Sequence, residues 1–419
     1  MSGSRRRFLK VAAASIGAPL GSGAQVGADS PAAVQASQPA LRPAGAGEAV
    51  LTFGGDLFLT APLADKLDAG SQRVFEVFRR SDKGVANLEN GLSTVGAPEL
   101  GGFRHGPSLR GAPALAAELP PMGVSAVSLA NNHTGNYGRE ALLQTLTTLQ
   151  AAGVAYAGAG RNTASAFEPL YMNVRGLTVA FLSVYSYYHN FGAADCASDT
   201  EAGIAWCRAF DVVVEPGVGF DVAQRDSPPY LLTVQPPSTQ TIVAACREDL
   251  DRVKAAVHAA RTRADFTILS VHFHWGRHGQ HDVPPQQRAF AHELVDAGVD
   301  LLVGHGPHTI RGIERYRGRP IVYSMGNLVM QPRRSASREP AAAPRPPGRE
   351  AFVARVTIDR QAVRALELLP IGIEGDGLPR FLPPPDGHGL LQKLNGLSAA
   401  LGGYTMRLKE SLADLEVTA

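Results

Sequence analysis

Cysteine and tryptophan are scarce in this chain, with three of the first and two of the second among 419 residues. No Cys-x-x-Cys pair and no Cys/His spacing of the zinc-finger kind occurs, which argues against a small metal-stapled or disulfide-rich scaffold. Cys196, Cys207 and Cys246 lie in one stretch of the sequence. In an oxidising compartment a Cys196–Cys207 disulfide would close a short loop; three unpaired residues is the alternative reading. Long hydrophobic runs are missing too. After the first 28 residues no apolar stretch reaches 18 residues, so no spanning helix is expected there. An excess of one charge sign is also absent. Forty basic residues face 38 acidic ones, and four of the basic ones (Arg5, Arg6, Arg7 and Lys10) fall within those first 28, where no acid occurs. The remainder carries about −2, which gives no general attraction to nucleic acid or an anionic membrane. Hydrophobic residues make up 44% of the chain, ample for one large domain or two ordinary ones.

The N-terminus is distinctive. Ser4-Arg5-Arg6-Arg7-Phe8-Leu9-Lys10 precedes a weakly apolar stretch from Val11 to Leu20, and small residues follow around Val26-Gly27-Ala28. This resembles a twin-arginine export signal over residues 1–28, with a basic tail as the alternative. Such a signal implies export of an already folded chain to the periplasm or cell exterior, which suits a protein loaded with a cofactor beforehand. Residues 29–47 are rich in Ala, Gly, Pro, Ser and Gln and read as a flexible linker.

From Ala49 onward, short apolar or β-branched runs alternate with helical patterns. Val50–Phe53, Val85–Leu88, Ser125–Leu129, Val154–Ala157, Val179–Val184, Phe266–Val271, Leu301–Val303 and Ile321–Tyr323 read as buried strands. Arg139–Ala152, Arg247–Arg261 and Pro285–Ala297 read as helices, the first with Gly153 as its C-cap. The alternation predicts a layered α/β fold. Residues 186–240 read as an irregular insertion and 331–349 as a low-complexity loop. Strands resume at Phe352–Ile358 and Val363–Pro370, and the tail from Leu390 reads as a closing helix.

Polar clusters follow several of these strands, where α/β folds present their ligand-binding groups. They are Gly54-Gly55-Asp56, Asn87-Leu88-Glu89, Ala130-Asn131-Asn132-His133, His272-Phe273-His274-Trp275-Gly276 and Gly304-His305-Gly306-Pro307-His308. Carboxylate, carboxamide and imidazole are ligands for borderline first-row metals. A lone Gly-Gly-Asp is commonly just a turn, and Asn-Asn-His can cap a helix. Two histidines three apart in a Gly/Pro-rich turn have no packing advantage, and a structural account of all the clusters together is weak.

The stretches LTFGGDLFLT, ANLENGLST, VSLANNHTGNYGREALLQTLTTLQAAGVAYAGAGRN, SVHFHWG and DLLVGHGPHTIRGIERYRGRPIVYSMGNLV resemble, in order, the CapA family of capsule and poly-γ-glutamate synthesis proteins, a branch of the calcineurin-like metallophosphoesterases. The resemblance implies a metallophosphoesterase-like β-sandwich flanked by helices over residues 48–375, with 376–419 as a closing segment. It implies a divalent metal site of one or two ions of the Mn, Fe or Zn type. Asp56, Glu89 (as bridging acid), Asn132, His274, His305 and His308 match the ligand positions. His133 matches the imidazole that protonates a leaving group without binding metal. Three positions depart from the pattern: Phe58 stands where an imidazole is usual, His278 where a Glu is, and Gly306 where a His is. His272 either replaces a lost ligand or forms a wall of the site, and on an extended strand it points the same way as His274. Asn327 either binds substrate or closes a turn, and a solvated loop is the simpler account of Arg104 and His105. The implied partner is an anionic polymer or phosphoester, together with capsule-synthesis machinery, and not nucleic acid. The implied role is hydrolysis, with a non-catalytic polymer-binding or assembly factor as the alternative.

Overall fold

The computed structural model describes residues 41–63, 66–98, 108–188, 196–214, 240–275, 281–331, 349–403, 406–408 and 413–415. The export signal, most of the linker, Arg104, His105, His278 and all but the ends of the 331–349 loop lie outside them.

In chain order the principal strands are β1 (Ala49–Phe58), β2 (Lys83–Leu88), β3 (Ala126–Ser128), β4 (Ala155–Ala157), β5 (Leu177–Tyr188), β6 (Trp206–Val214) and β7 (Gln240–Ala245). They continue as β8 (Phe266–Phe273), β9 (Leu301–His305), β10 (Ile313–Tyr316), β11 (Arg319–Val322), β12 (Asn327–Met330), β13 (Glu350–Ile358) and β14 (Val363–Ile373). The longer helices are α1 (Ala69–Arg79), α2 (Gly138–Ala151), α3 (Arg247–Arg261), α4 (Pro285–Asp296) and α5 (Pro384–Ala399).

These strands form two large sheets. In the first the order β14-β13-β1-β2-β3-β4 places β1 centrally, with β12 also pairing to its carboxyl end. In the second the order is β7-β6-β5-β8-β9-β11-β10. The inner strands β1, β2, β3 and β4 run parallel, as do β5, β8, β9 and β11. Parallel strands joined by helices must be covered on both faces, which is why these segments read as continuous apolar runs.

Three cores follow from the period-two alternation of the strands. Leu51, Phe53 and Val85 of the first sheet pack with Phe181, Phe266, Ile268 and Val303 of the second, so the sheets lie face to face. Leu57, Ala86 and Val127 face the other way, against Phe75 and Phe78 of α1 and Leu142 and Leu146 of α2. Leu269, Val271 and Phe273 likewise meet Val253 and Val257 of α3 and Phe290 and Leu294 of α4. The result is the layered α/β sandwich flanked by helices that the sequence predicts.

The differences lie at the margins. The span 186–240 is not simply an irregular insertion, because Trp206–Val214 and the Gln240–Ala245 strand pair with each other and extend the second sheet beside β5. A fork of hydrogen bonds from Arg208 to Asp249 (2.7 and 3.0 Å) fastens β6 to α3. The closing helix starts at Pro384, six residues before Leu390, with a proline in its first turn. Cys196, Cys207 and Cys246 are free thiols and no disulfide joins them, which decides for the unpaired reading. No helix among the described residues is long and apolar enough to cross a membrane.

Candidate metal centre

The site forms where the inward-facing positions of the strands turn from apolar to polar. On β8, Phe266 and Ile268 enter the inter-sheet core, and the same face continues with Ser270 and His272. Leu301 and Val303 of β9 lead to His305, Val85 of β2 leads to Asn87, and Ala126 of β3 leads to Ser128. Because all these strands are parallel, the polar ends collect at one edge of the sandwich.

Two glycines shape the approach. The β1–β2 register slips between Phe53 and Asp56, and a Cβ on Gly55 would sit 1.9 Å from the Gly326 carbonyl oxygen. Only glycine allows that contact, and it lets the Asp56 amide donate to the same oxygen at 3.1 Å. Gly306 has φ +104 and packs on the Phe273 carbonyl; its amide donates to Asp56 Oδ2 at 3.3 Å. Two residues later His308 holds φ +56, a left-handed conformation that costs energy for a side chain with a Cβ and is concentrated at functional sites.

Asp56, Glu89, His272 and His305 are almost fully buried. His308 Nδ1 lies 3.1 Å from Asp56 Oδ2, and its Nε2 lies 3.4 Å from Glu89 Oε1. His272 Nε2 is 3.5 Å from the same Glu89 oxygen and 3.1 Å from His274 Nε2. His305 Nδ1 is 3.7 Å from Asp56 Oδ1. Two groups thus bring their ligand-type atoms within 4.8 Å of one another: Asp56, Glu89 and His308, and Glu89, His272 and His274. Glu89 belongs to both, the place the resemblance gives to a bridging acid.

Among the buried side-chain atoms of the described residues that make no hydrogen bond are Glu89 Oε1, Asn132 Oδ1 and His305 Nδ1. Leaving such atoms unpaired is costly unless something else binds them. All three are ligand types for a divalent cation, so the donor set fits one. The electrostatics point the same way. Burial raises the carboxyl of Glu89 well above its ordinary range, with the nearby Asp56 charge adding to it. Burial would also raise Asp56, but the imidazoles of His308 and His305 hold it down. Burial lowers His305 to about 4 and works against charge on His308 as well, yet the Glu89 and Asp56 carboxylates push His308 up to about 10. A proton on His308 here holds two carboxylates together, a task a cation performs better.

Asn87 is a hub that the sequence marked without assigning it a role. Its Nδ2 donates to Asp56 Oδ1 at 2.8 Å and faces His272 Nδ1 at 3.1 Å; its Oδ1 accepts from Ser128 Oγ at 2.8 Å and Asn131 Nδ2 at 3.3 Å. Asn136 was missed altogether. Its Oδ1 lies 2.7 Å from His133 Nδ1, and the spacing of three residues in a turn is the one signal that pointed to it. Asn327 Oδ1 lies 2.8 Å from His308 Nδ1, which makes Asn327 a support of that ring. Buried Arg311 donates to Gln287 Oε1 at 2.8 Å and to the Trp275 carbonyl at 3.2 Å, anchoring the segment that carries His274. Phe58 is buried and apolar, so β1 contributes one ligand-type side chain, Asp56, where the resemblance would have two.

Fold and site together define a layered α/β protein with a buried carboxylate and imidazole centre of metal-binding type. The family model of the bacterial capsule synthesis protein PGA_cap matches residues 50–332, and the chain belongs to that family. Among curated relatives, an uncharacterized protein of Sinorhizobium fredii, y4sH, is 27% identical over 83% of this chain and 89% of its own. A probable polyglutamine synthesis accessory protein of Mycobacterium tuberculosis is 32% identical over 52% of this chain and 47% of its own. The capsule biosynthesis protein CapA of Bacillus anthracis is 28% identical over 49% and 40%. The solved NAD nucleotidase of Haemophilus influenzae aligns with 87% of this chain and 57% of its own at 11% identity and a TM-score of 0.32, too slight a likeness to argue from.

Proposed function

We propose that this protein acts on an anionic extracellular polymer of the capsule or poly-γ-glutamate kind as a metal-dependent hydrolase, exported by the twin-arginine route to work beside capsule-synthesis machinery. The observation that carries the hydrolase reading is the convergence of two buried acids and four imidazoles, with Glu89 Oε1 and His305 Nδ1 left without hydrogen bonds. Asp56, Glu89, Asn132, His274, His305 and His308 would hold one or two ions of the Mn, Fe or Zn type. Such an ion supplies Lewis acidity at a phosphoryl or acyl oxygen and makes nearby water more acidic. The polymer class rests on family membership and on the names of the relatives.

The chain's own residues divide the remaining work. Asn136 holds the His133 ring through Nδ1, leaving Nε2 as the atom through which a proton reaches the leaving group. Asn87 orients Asp56, and the Gly306 amide gives that carboxylate a second donor. Burial excludes bulk water from Asp56 and Glu89.

Metal analysis of the purified protein, with turnover of a generic phosphodiester and of poly-γ-glutamate, tests this. Stoichiometric metal that is lost in Asp56→Ala and His305→Ala is expected, with turnover that falls in His133→Ala. Protein without any metal affinity overturns the hydrolase reading. One observation, apolar Phe58 in place of an imidazole, favours a second reading as a polymer-binding or assembly factor. Bound metal with no turnover, and polymer binding unchanged in His133→Ala, would select it.

A further inference from the structure

Imidazole is ambiguous in a metal centre: only the ring nitrogen without a proton can bind a cation, and the other donates. Carboxamides facing three of the rings remove that ambiguity. Asn136 Nδ2 donates to the Asn132 carbonyl at 3.1 Å, and its Oδ1 accepts from the Leu109 amide at 2.9 Å, so its orientation is fixed. The nitrogen facing that oxygen, His133 Nδ1, therefore carries a proton, and Nε2 holds the lone pair. His308 Nδ1 faces two acceptors, Asn327 Oδ1 at 2.8 Å and Asp56 Oδ2 at 3.1 Å, so it too is protonated and Nε2 is the ligand atom.

His272 is the reverse case. Asn87 cannot be turned over, because Asp56 Oδ1 requires a donor on one side while Asn131 Nδ2 requires an acceptor on the other, which Ser128 Oγ also donates to. Asn131 is pinned in turn, since its Oδ1 accepts from the His133 and Thr134 amides at 3.0 and 3.1 Å. The group facing His272 Nδ1 is thus an N–H. His272 Nδ1 accepts, and Nε2 carries the proton, aimed at His274 Nε2 and passing 3.5 Å from Glu89 Oε1. By proximity alone His272 belongs to a possible ligand group with Glu89 and His274; the hydrogen-bond network decides against that membership.

We propose that Asn87 fixes His272 as the N–H donor of the centre, a positioning residue for His274 and Glu89, while Asn327 and Asn136 hold the Nδ1 protons of His308 and His133 and leave Nε2 as the nitrogen that exchanges a proton or takes a cation. The inference rests on the metal-site reading and assigns His272 a place outside the ligand set. Were His274 to hold a cation, the His272 Nε2–H would be left to donate to Glu89 Oε1, 3.5 Å away and otherwise without a hydrogen bond.

Nitrogen-15 NMR of histidine-labelled, metal-free protein reads the tautomer directly. The expected spectrum contains one neutral imidazole protonated at Nε2 whose signal disappears in His272→Gln. In Asn87→Asp, where an acceptor replaces the donor, the proton moves to Nδ1. Zinc stoichiometry by elemental analysis gives the second measurement: His272→Gln, which keeps an N–H, retains the wild-type ion count, while His308→Ala loses an ion. A His272 ring protonated at Nδ1 in the wild type, or one ion fewer in His272→Gln, overturns the proposal. The wild-type spectrum with Asn87→Asp decides the matter even if His272→Gln fails to fold. Wild-type protein that binds no zinc defeats the metal reading alone, and the spectrum still decides the tautomer.

Discussion

At the scale of single residues, the centre depends as much on what holds its side chains as on the side chains that face substrate. Asn136 touches His133 and would not touch a substrate, so Asn136→Ala leaves metal content intact while lowering kcat by roughly 10–100-fold, the usual cost of losing an outer-shell partner; steady-state kinetics beside metal analysis checks this. Gly55→Ala acts differently. Its Cβ would collide with the Gly326 carbonyl at 1.9 Å, and the backbone that carries Asp56 would have to move. A loss of about 1–3 kcal/mol, the cost of overpacking, is expected as a lower urea midpoint, with metal affinity falling in parallel. Residue chemistry was legible in the sequence where type and position sufficed: Asp56, Glu89, His305 and His308 follow strands and carry ligand groups. The roles of Asn87, Asn136 and Asn327 were not legible, because a carboxamide donates or accepts according to what stands opposite, and that depends on the fold. His272 shows both sides. Alternation along β8 placed it beside His274, but its proton is set by a strand of the other sheet.

Between residue and fold, the elements around β10 and α4 form a second polar network, distinct from the candidate metal centre. Glu314 accepts from Tyr323 Oη at 2.6 Å, from Arg288, and from His292 Nε2 at 3.0 Å, while the His292 ring stacks on Tyr316 at 3.7 Å. Burial would raise the Glu314 carboxyl, but these donors hold it at about 2, against 4.5 when free. A depressed carboxyl stabilises the fold above its free value and loses that contribution as pH falls from about 4.5 toward 2. Urea unfolding at pH 7 and pH 3 should therefore show a fall in midpoint for the wild type that is smaller in Glu314→Gln. Elements differed in how well the sequence displayed them. The apolar strands β2, β5, β8 and β9 were legible because burial on both faces makes them continuous runs. Helix α1 was not: its buried face is confined to Ser71, Val74, Phe75, Val77 and Phe78, and its first turn, held by the Asp68 cap, is polar. Strand β6 escaped notice because what recruits it is pairing with β5 and the Arg208–Asp249 fork, neither visible along the chain.

On the scale of the whole molecule, the centre sits where two sheets meet, and its ligand-type groups come from both. Asp56 and Glu89 belong to the first sheet and the turn beyond it, while His274, His305 and His308 follow strands of the second. A cation there would crosslink the two halves of the sandwich at the end where their shared apolar core gives way to polar groups. Without it, the Asp56 and Glu89 carboxylates depend on the His308 proton for charge balance. Binding to the folded chain alone adds about 2.7 kcal/mol when free metal is at 100 times its Kd. A calorimetric Tm that rises with added zinc or manganese, falls after chelation, and fails to respond in Asp56→Ala is the expected result. A rise of equal size in Asp56→Ala would place the cation elsewhere. Since that crosslink would run between sheets, the chelated protein should also exchange amide hydrogens faster along β1 and β9 than along β13 and β14, whose antiparallel ladder holds without the centre.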